Sequence, residues 1–157
     1  MKIVSNSFQD GGEIKARHAM KAIQGGENIS PHISISDLPA GTAALALACI
    51  DRHPRARGWV HWLAVNVPPQ GSELAEGASP GSMPAGSIEL MNSFGTRGYG
   101  GPQPPRGSGR HQYEFTAYAL NGPVTVKNAQ QGEMGFLELA RGKILAKASI
   151  SAFFENK

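Results

Sequence analysis

The stretch GYGGPQPPRGSGRHQY, residues Gly98–Tyr113, is the most unusual segment of the chain. It holds five glycines and three prolines. Glycine permits close backbone approach and positive φ, whereas proline restricts φ, so the mixture predicts a rigid loop of unusual shape. The alternating segment Tyr113–Leu120 follows it and is typical of a strand. A rigid loop that delivers His111 and Tyr113 at a strand start predicts one wall of a pocket, and a tight surface turn is the alternative.

Two apolar runs precede this loop and predict the centre of a sheet. Ala43–Ile50 is apolar throughout, and Trp59–Val67 is mostly apolar. Apolar runs of this length, bounded by turn residues, predict strands buried on both faces. The polar loop between them favours antiparallel pairing. That pairing places Asp51 at the end of one strand, near His61 at the start of the next.

Outside these runs the sequence predicts short strands and one helix. Glu133–Arg141 has helical spacing, with Gly142 suited to the C-cap. Pro68–Ser93 lacks periodicity and predicts a long loop, which is uncommon inside a domain and often functional. Further strands are predicted at Met1–Phe8, His32–Ser36, Val124–Val126 and Ile144–Phe154.

Composition indicates a single mainly β domain over residues 1–157. The chain has 20 glycines and 11 prolines, which favours many short strands. The net charge of +3 is mild, and no basic block is long enough to predict a nucleic-acid partner. No apolar run approaches the roughly 18 residues of a membrane span, and the N-terminus lacks the apolar core of a signal peptide. We therefore expect a cytoplasmic protein, in which Cys49 is a small core residue.

Polar residues at the strand ends form the candidate site. His53, His61 and His111 lie beside glycine or proline loops, and Asp51 and Tyr113 share the same strand ends. Imidazoles titrate near neutrality, and consecutive amides at Gly98–Gly101 could form an anion nest. Five arginines on the two loops favour a phosphate, sulfate or carboxylate, with a solvated basic rim as the alternative. These arginines are Arg52, Arg55, Arg57, Arg106 and Arg110.

Patterns of known catalytic sites are missing from the sequence. It has no G-x-S-x-G elbow, no P-loop and no dinucleotide fingerprint between a strand and a helix. Asp51, His53, His61 and His111 could ligate a metal, which keeps a metal-dependent hydrolase as an alternative. Neither H-E-x-x-H nor C-x-x-C is present. The prediction is therefore a protein that is not an enzyme and needs no cofactor or metal.

Several motifs in the right order resemble the phosphatidylethanolamine-binding protein (PEBP) family, in its bacterial and archaeal Raf kinase inhibitor-like branch. The resemblance covers nearly the whole chain. The matching segments are Gly26–Pro31 (G-x-N-x-S-P), Leu38–Thr42, Asp51, His61-Trp62, Asn92–Gly95, Gly98–Pro105 (GY-x-GP-x-PP) and His111–Tyr113.

The resemblance implies a PEBP-like fold, with two antiparallel sheets packed as a β-sandwich and one or two short peripheral helices. It implies a pocket for phospholipid headgroups or other phosphorylated small ligands, and a homodimer. In that pocket His61 and His111 would donate to phosphate oxygens, Gly101 would offer its amide, and Asp51 would hold His61. The implied ligand-binding residues are Asp51, Trp59, His61, Gly101, Pro105, His111 and Tyr113.

Two further points qualify this reading. The family also includes serine-protease and kinase inhibitors, and Pro68–Ser93 could present such an inhibitory surface to a protein partner.

The chain also departs from the D-P-D-A-P pattern of the family, because it reads Asp51-Arg52-His53-Pro54-Arg55. His53 replaces the second aspartate, which makes the pocket mouth less acidic and weakens the case for an ethanolamine ligand.

Overall fold

The computed structural model of the chain describes residues 1–128 and 132–157, which form nine strands and one α-helix. Short 3-10 turns lie at Ala16–His18, Pro54–Ala56 and Pro69–Gly71. The elements are β1 (Lys2–Val4), β2 (Gly12–Glu13), β3 (Ile33–Ser36), β4 (Ala44–Asp51), β5 (Val60–Val67), β6 (Glu73–Leu74), β7 (Ile88–Glu89), β8 (Arg110–Leu120), α1 (Gly132–Leu139) and β9 (Ile144–Glu155).

The strands form two sheets, as predicted. The larger sheet has the order β2-β9-β8-β4-β5-β7, and the smaller has the order β1-β3-β6. Neighbours are antiparallel, except that β2 runs parallel to β9. The mainly β sandwich is confirmed, with one short helix at its periphery.

Strand β4 lies at the centre of the larger sheet and is buried along its whole length. Leu45, Leu47 and Cys49 point into a core shared with the small sheet. The alternate residues of β4, including Ile50, pack on the opposite face in a second core that contains Phe136 of α1. Two covered faces explain why this strand is apolar throughout instead of alternating. The predicted antiparallel pairing of β4 with β5 is confirmed.

The structure refines three of the secondary-structure predictions. Strand β8 begins at Arg110 and so extends the alternating segment Tyr113–Leu120 by three residues, with His111 near its start, as predicted. The Pro68–Ser93 segment is not structureless, because β6 and β7 pair there with β3 and β5. Val124–Val126 is not a strand; Val124 instead exchanges two hydrogen bonds with the side chain of Asn66. Short pairings of two residues carry too little periodicity to be seen in sequence.

Helix α1 confirms the predicted helix and covers one face of the larger sheet. Phe136 is fully buried and meets Tyr118 edge-on, with ring centroids 5.4 Å apart. Met134, by contrast, is 86% exposed, so the helix buries Phe136 and turns Met134 outward. No helix within the described ranges is long and apolar enough to cross a membrane.

An arginine joins α1 to the loop that follows β4. Arg52 donates from Nη1 and Nη2 to the two carboxylate oxygens of Glu133, at 2.8 and 2.6 Å. Its Nε and Nη2 also reach Glu114 Oε1 on β8, at 3.0 and 2.8 Å. These contacts hold Arg52, which directly follows Asp51 at the end of β4.

Replacing Arg52 by lysine is expected to lower the free energy of unfolding by about 1 kcal/mol, because an ammonium cannot reproduce the two-pronged contact. Urea denaturation measures the change. The matched control is Arg141→Lys, whose ion pair with Glu138 is 79% and 65% exposed. It should change stability by less than about 0.5 kcal/mol. Equal effects of the two substitutions would contradict a structural role for Arg52.

Candidate functional site

The glycine-rich loop is anchored by backbone contacts, not left open for a ligand. Its four consecutive amides at positions 98–101 all donate within the protein. Gly100 N–H donates to the His61 carbonyl at 2.8 Å, and Gly101 N–H donates to Asn28 Oδ1 at 2.7 Å. The predicted anion nest is therefore wrong, and so is the predicted role of Gly101 as an amide donor to a ligand. Its N–H is already satisfied, and Gly101 instead allows close backbone packing.

A cavity of about 410 Å³ opens between this loop and the ends of β4, β5 and β8. The structure brings six of the seven predicted residues to its wall, and Gly101 is the exception. The six are Asp51, Trp59, His61, Pro105, His111 and Tyr113. Arg55, one of the five loop arginines named from the sequence, also lines the cavity, and the remaining lining residues are Ala56, Phe94, Gln103 and Pro104.

Phe94 contributes an aromatic ring to the cavity wall, and the sequence analysis did not select it. Its ring meets the rings of Trp59 and His61 edge-on, with centroids 5.3 and 5.5 Å apart. It belongs to the quoted Asn92–Gly95 motif, so its proximity to the site could have been inferred. Asn92 accepts from the Phe94 amide and donates to the Gly98 carbonyl, which fixes both segments together.

The buried carboxylate of Asp51 pairs with His111, not with His61 as predicted. Asp51 Oδ2 lies 2.7 Å from His111 Nδ1, and both residues are about 97% buried or more. The antiparallel register of β4 and β8 causes this pairing, because Asp51 lies opposite Tyr113. His111, two residues earlier, shares that face of β8. Asp51 Oδ1 accepts from the His53 amide at 2.9 Å, so both carboxylate oxygens are satisfied.

Both ring nitrogens of His111 have a hydrogen-bond partner. Its Nε2 lies 2.9 Å from Ser108 Oγ, and Ser108 donates its single hydroxyl proton to the Pro105 carbonyl at 2.6 Å. The Nδ1–H of His111 donates to the Asp51 carboxylate, and Ser108 contacts the opposite edge of the ring. Sequence analysis missed Ser108, although it sits three residues before His111.

His53 does not line the cavity but packs behind it. Its ring stacks on that of His111, with centroids 3.8 Å apart and an interplanar angle of 16°. Its Nδ1 accepts from the Arg55 amide at 3.2 Å and caps the 3-10 turn Pro54–Ala56. His53 thus contacts the wall of the cavity through His111.

His61 is neutral at physiological pH. It is 3% exposed, and its Nδ1 donates to the Gly100 carbonyl at 2.6 Å. Burial lowers the pKa of His61 to about 4, although the Gly100 carbonyl partly offsets this. A neutral imidazole that donates at Nδ1 has an accepting lone pair at Nε2. The prediction that His61 donates to a phosphate oxygen is therefore wrong for this neutral form.

Tyr113 presents a buried donor. Its hydroxyl lies near the Asp51 carboxylate but makes no hydrogen bond of acceptable geometry. Burial raises the pKa of Tyr113, and the Asp51 charge raises it further, so the hydroxyl keeps its proton. Buried polar groups without partners are rare in folded proteins, which makes this hydroxyl a candidate contact for a ligand.

The mouth of the cavity is aromatic and positively charged. Trp59 is 40% exposed there, and Arg55 lines the wall. Arg57 and Trp59 also line a shallower cavity beside the first. Within the described part of the chain, neither Arg55 nor Arg57 forms an ion pair, whereas Arg52 and Arg110 pair with glutamates.

The metal-binding alternative has no geometric support. Over residues 1–128 and 132–157, no group of three or more histidine, cysteine, aspartate or glutamate side chains is arranged to hold a metal ion. Of the four proposed ligands, Asp51 and His111 bind each other, His61 binds the Gly100 carbonyl, and His53 stacks on His111.

Known proteins resemble this chain over nearly its full length. The chain is 38% identical to the UPF0098 protein YbhB of Escherichia coli, covering 98% of this chain and 99% of YbhB. The crystal structure of E. coli YbcL, described as a new member of the mammalian PEBP family, superposes with a TM-score of 0.90 at 28% identity. That match covers 99% of this chain and 98% of YbcL.

A more distant likeness concerns the fold alone. A carboxypeptidase Y inhibitor, solved in complex with its cognate proteinase, matches with a TM-score of 0.53 at 17% identity, over 94% of this chain and 76% of the inhibitor. The family model of the phosphatidylethanolamine-binding proteins matches residues 4–155. The two-sheet sandwich, the near-complete alignment with YbhB and this family match agree, and the chain belongs to the phosphatidylethanolamine-binding protein family.

Proposed function

We propose that the cavity binds a small ligand through a phosphate-type group, which belongs to a phospholipid headgroup or another phosphorylated small molecule. The observation that carries the proposal is the Tyr113 hydroxyl, a buried donor at the cavity that lacks a hydrogen-bond partner. A phosphate oxygen accepts strongly from such a donor.

Charge at the cavity favours an anion. The Asp51 carboxylate accepts from His111 Nδ1–H at 2.7 Å and from the His53 amide at 2.9 Å, so it repels an anion less than a carboxylate without donors does. Arg55 adds a cation at the wall with no acidic partner among the described residues. Guanidinium groups suit phosphate because their planar fork presents two donors.

The shape of the cavity suits a phosphate joined to an organic group. The deeper wall is polar, with His61, His111 and Tyr113, while the mouth is formed by Trp59, Phe94 and two prolines. Pockets for small molecules commonly combine apolar walls with a few convergent polar groups. The proposal is one of binding, and it assigns no chemical step to the cavity.

Phosphate titration followed by NMR of the histidine rings tests the proposal. Inorganic phosphate at millimolar concentration is expected to shift the signals of His61 and His111, which line the cavity. The signal of His32 is the internal reference, since His32 lies elsewhere and contacts Glu73. Unchanged signals of His61 and His111 would refute a phosphate site here.

Replacing Tyr113 by phenylalanine is expected to weaken phosphate binding about tenfold while leaving stability unchanged or raising it by about 1 kcal/mol. The hydroxyl has no partner to lose in the free protein, so its removal relieves an unsatisfied buried group. Calorimetric titration and urea denaturation provide the two readouts.

Tyr99→Phe is the matched control for this substitution. The Tyr99 hydroxyl donates to the His18 carbonyl at 2.9 Å and does not line the cavity. It should therefore lower stability by about 1 kcal/mol and leave phosphate affinity unchanged. If Tyr113→Phe instead destabilised the protein and bound phosphate normally, the hydroxyl would have a structural role only.

The protease- or kinase-inhibitor function, the homodimer and the cytoplasmic location stay predictions. The Pro68–Ser93 segment, proposed to present an inhibitory surface, is partly tied into the sheets by β6 and β7.

A further inference from the structure

The arginines that lack a partner gather at one place on the surface. Five of the eight arginines donate to a glutamate carboxylate or to a backbone carbonyl, and these are Arg17, Arg52, Arg97, Arg110 and Arg141. Within the described ranges, the side chains of Arg55, Arg57 and Arg106 form neither an ion pair nor a hydrogen bond. All three lie on the two loops that border the cavity, so this edge of the protein has a positive potential.

Two adjoining cavities lie beside these arginines. The cavity of about 410 Å³ and a shallower one of about 790 Å³ share Arg55, Trp59 and Pro105 in their walls. The shallower cavity adds Arg57 and Ser93, and no histidine, tyrosine or acidic residue of the described chain lines it. A ligand whose phosphate occupies the deeper cavity can therefore extend past the Trp59 ring toward Arg57.

The shallower cavity offers donors that nothing in the described chain neutralises. Arg57 ends the 3-10 turn Pro54–Ala56 with φ 52° and ψ 40°, which fixes where its side chain starts. Ser93 Oγ accepts from the Val60 amide at 2.8 Å, which leaves the hydroxyl proton for another acceptor. The carboxylate of Glu133 lies near Gly58, but Arg52 already donates to both of its oxygens.

We propose that the shallower cavity is a second anion subsite, so that the preferred ligand carries a carboxylate or a second phosphate a few bonds away from its first phosphate. This inference rests on the proposed phosphate site and adds a residue that determines specificity. The guanidinium of Arg57 pairs with the second anion through two N–H groups, and Arg55 reaches either anion. The exposed Trp59 ring packs on the carbon atoms between them. The subsite applies equally to a phosphate monoester and to a phosphodiester.

Two matched pairs of compounds test the subsite by calorimetric titration of the wild-type protein at low salt. Phosphoglycerate and glycerol phosphate are terminal monoesters that differ by a carboxylate in place of a hydroxymethyl group. Glycerophosphoserine and glycerophosphoethanolamine are diesters that differ by one carboxylate. In each pair the carboxylate compound is expected to bind at least about tenfold more tightly, because charged hydrogen bonds contribute that much. Tighter binding of the monoester pair identifies a free phosphorylated compound as the source of the ligand, and tighter binding of the diester pair identifies a lipid headgroup.

Substitution of Arg57 separates a local contact from the net charge of the protein. Arg57→Gln should reduce the preference in each pair to less than about threefold and change the affinity for glycerol phosphate by less than about twofold, because only the second anion loses its partner. Arg141→Gln is the charge-matched control. The Arg141 side chain is 79% exposed beside Glu138 and lines neither cavity, so the preferences should equal those of the wild type.

A measurement on the wild-type protein does not depend on how the variants fold. The backbone amide signals of Arg57 and Gly58 should shift when phosphoglycerate is added and should stay in place with glycerol phosphate.

Three results would overturn the inference. Equal affinities within a pair that binds would refute the second subsite and leave the proposed phosphate site standing. Preferences that survive Arg57→Gln, or that Arg141→Gln lowers equally, would assign the effect to overall charge and not to the subsite. Failure of all these compounds and of inorganic phosphate to bind would refute the phosphate site and the subsite together.

Discussion

Replacing Gly101 by alanine is expected to lower the free energy of unfolding by about 3 kcal/mol, since overpacking against fixed backbone is strongly unfavourable. A Cβ at this position would overlap the His18 carbonyl oxygen and lie 2.9 Å from Ala19 Cα. Both atoms belong to the backbone, so no side-chain rotation relieves the overlap. The neighbouring hydrogen bonds from Gly101 to Asn28 and from Met20 to Pro102 hold the two segments at this separation.

Gly81→Ala is the matched control for this prediction. Its φ lies outside the left-handed region, as does that of Gly101, and a Cβ there meets no atom within 4 Å. The control should change stability by no more than about 0.5 kcal/mol, and a small gain is reasonable because alanine restricts the unfolded chain. Urea denaturation of both variants measures the difference. Similar stabilities would show that the loop can move away from residues 18–19 without penalty.

Replacing Asp51 by alanine is expected to cost about 3 kcal/mol of stability, because two donors at a buried site lose their charged acceptor. The substitution removes the acceptor of His111 Nδ1–H and also the acceptor of the His53 amide. The ¹⁵N signals of the His111 ring are then expected to shift, because its Nδ1–H loses the carboxylate to which it donates.

Glu27→Ala serves as the control for loss of a carboxylate. Glu27 is exposed, so its removal should alter stability by no more than about 0.5 kcal/mol. An Asp51→Ala protein with wild-type stability and an unchanged His111 spectrum would rule out the buried pair.

Much of the fold was predictable from apolar patterning. The continuous apolar runs of β4 and β5 and the alternation of β9 report burial directly, because each strand residue faces one side of a sheet. The helix was also predicted, although its helical spacing did not show that Phe136 is buried and Met134 is exposed. The two-residue strands β6 and β7 were missed, because pairings this short depend on their partners and leave no pattern.

The sequence predicted which residues line the candidate site better than it predicted the hydrogen bonds between them. Six of the seven predicted residues line the cavity, yet Asp51 holds His111 and not His61. Nearness in sequence suggested the wrong partner, since the register between β4 and β8 joins residues 60 positions apart. Ser108 was missed for a related reason: its importance comes from its contacts with the Pro105 carbonyl and His111 Nε2, which depend on the shape of the loop.

The stretch Gly98–Tyr113 shows which properties follow from the local sequence and which follow only from the tertiary structure. The sequence alone determined that this loop is stiff, that it leads into a strand, and that it delivers His111 and Tyr113 together, because glycine, proline and strand alternation act locally. Only the tertiary structure decided that the loop amides donate within the protein, that Gly101 packs against residues 18–19, and that His61 donates its Nδ1–H to the Gly100 carbonyl. Those properties depend on which distant backbone atoms satisfy each donor, and local residue patterns do not encode that pairing.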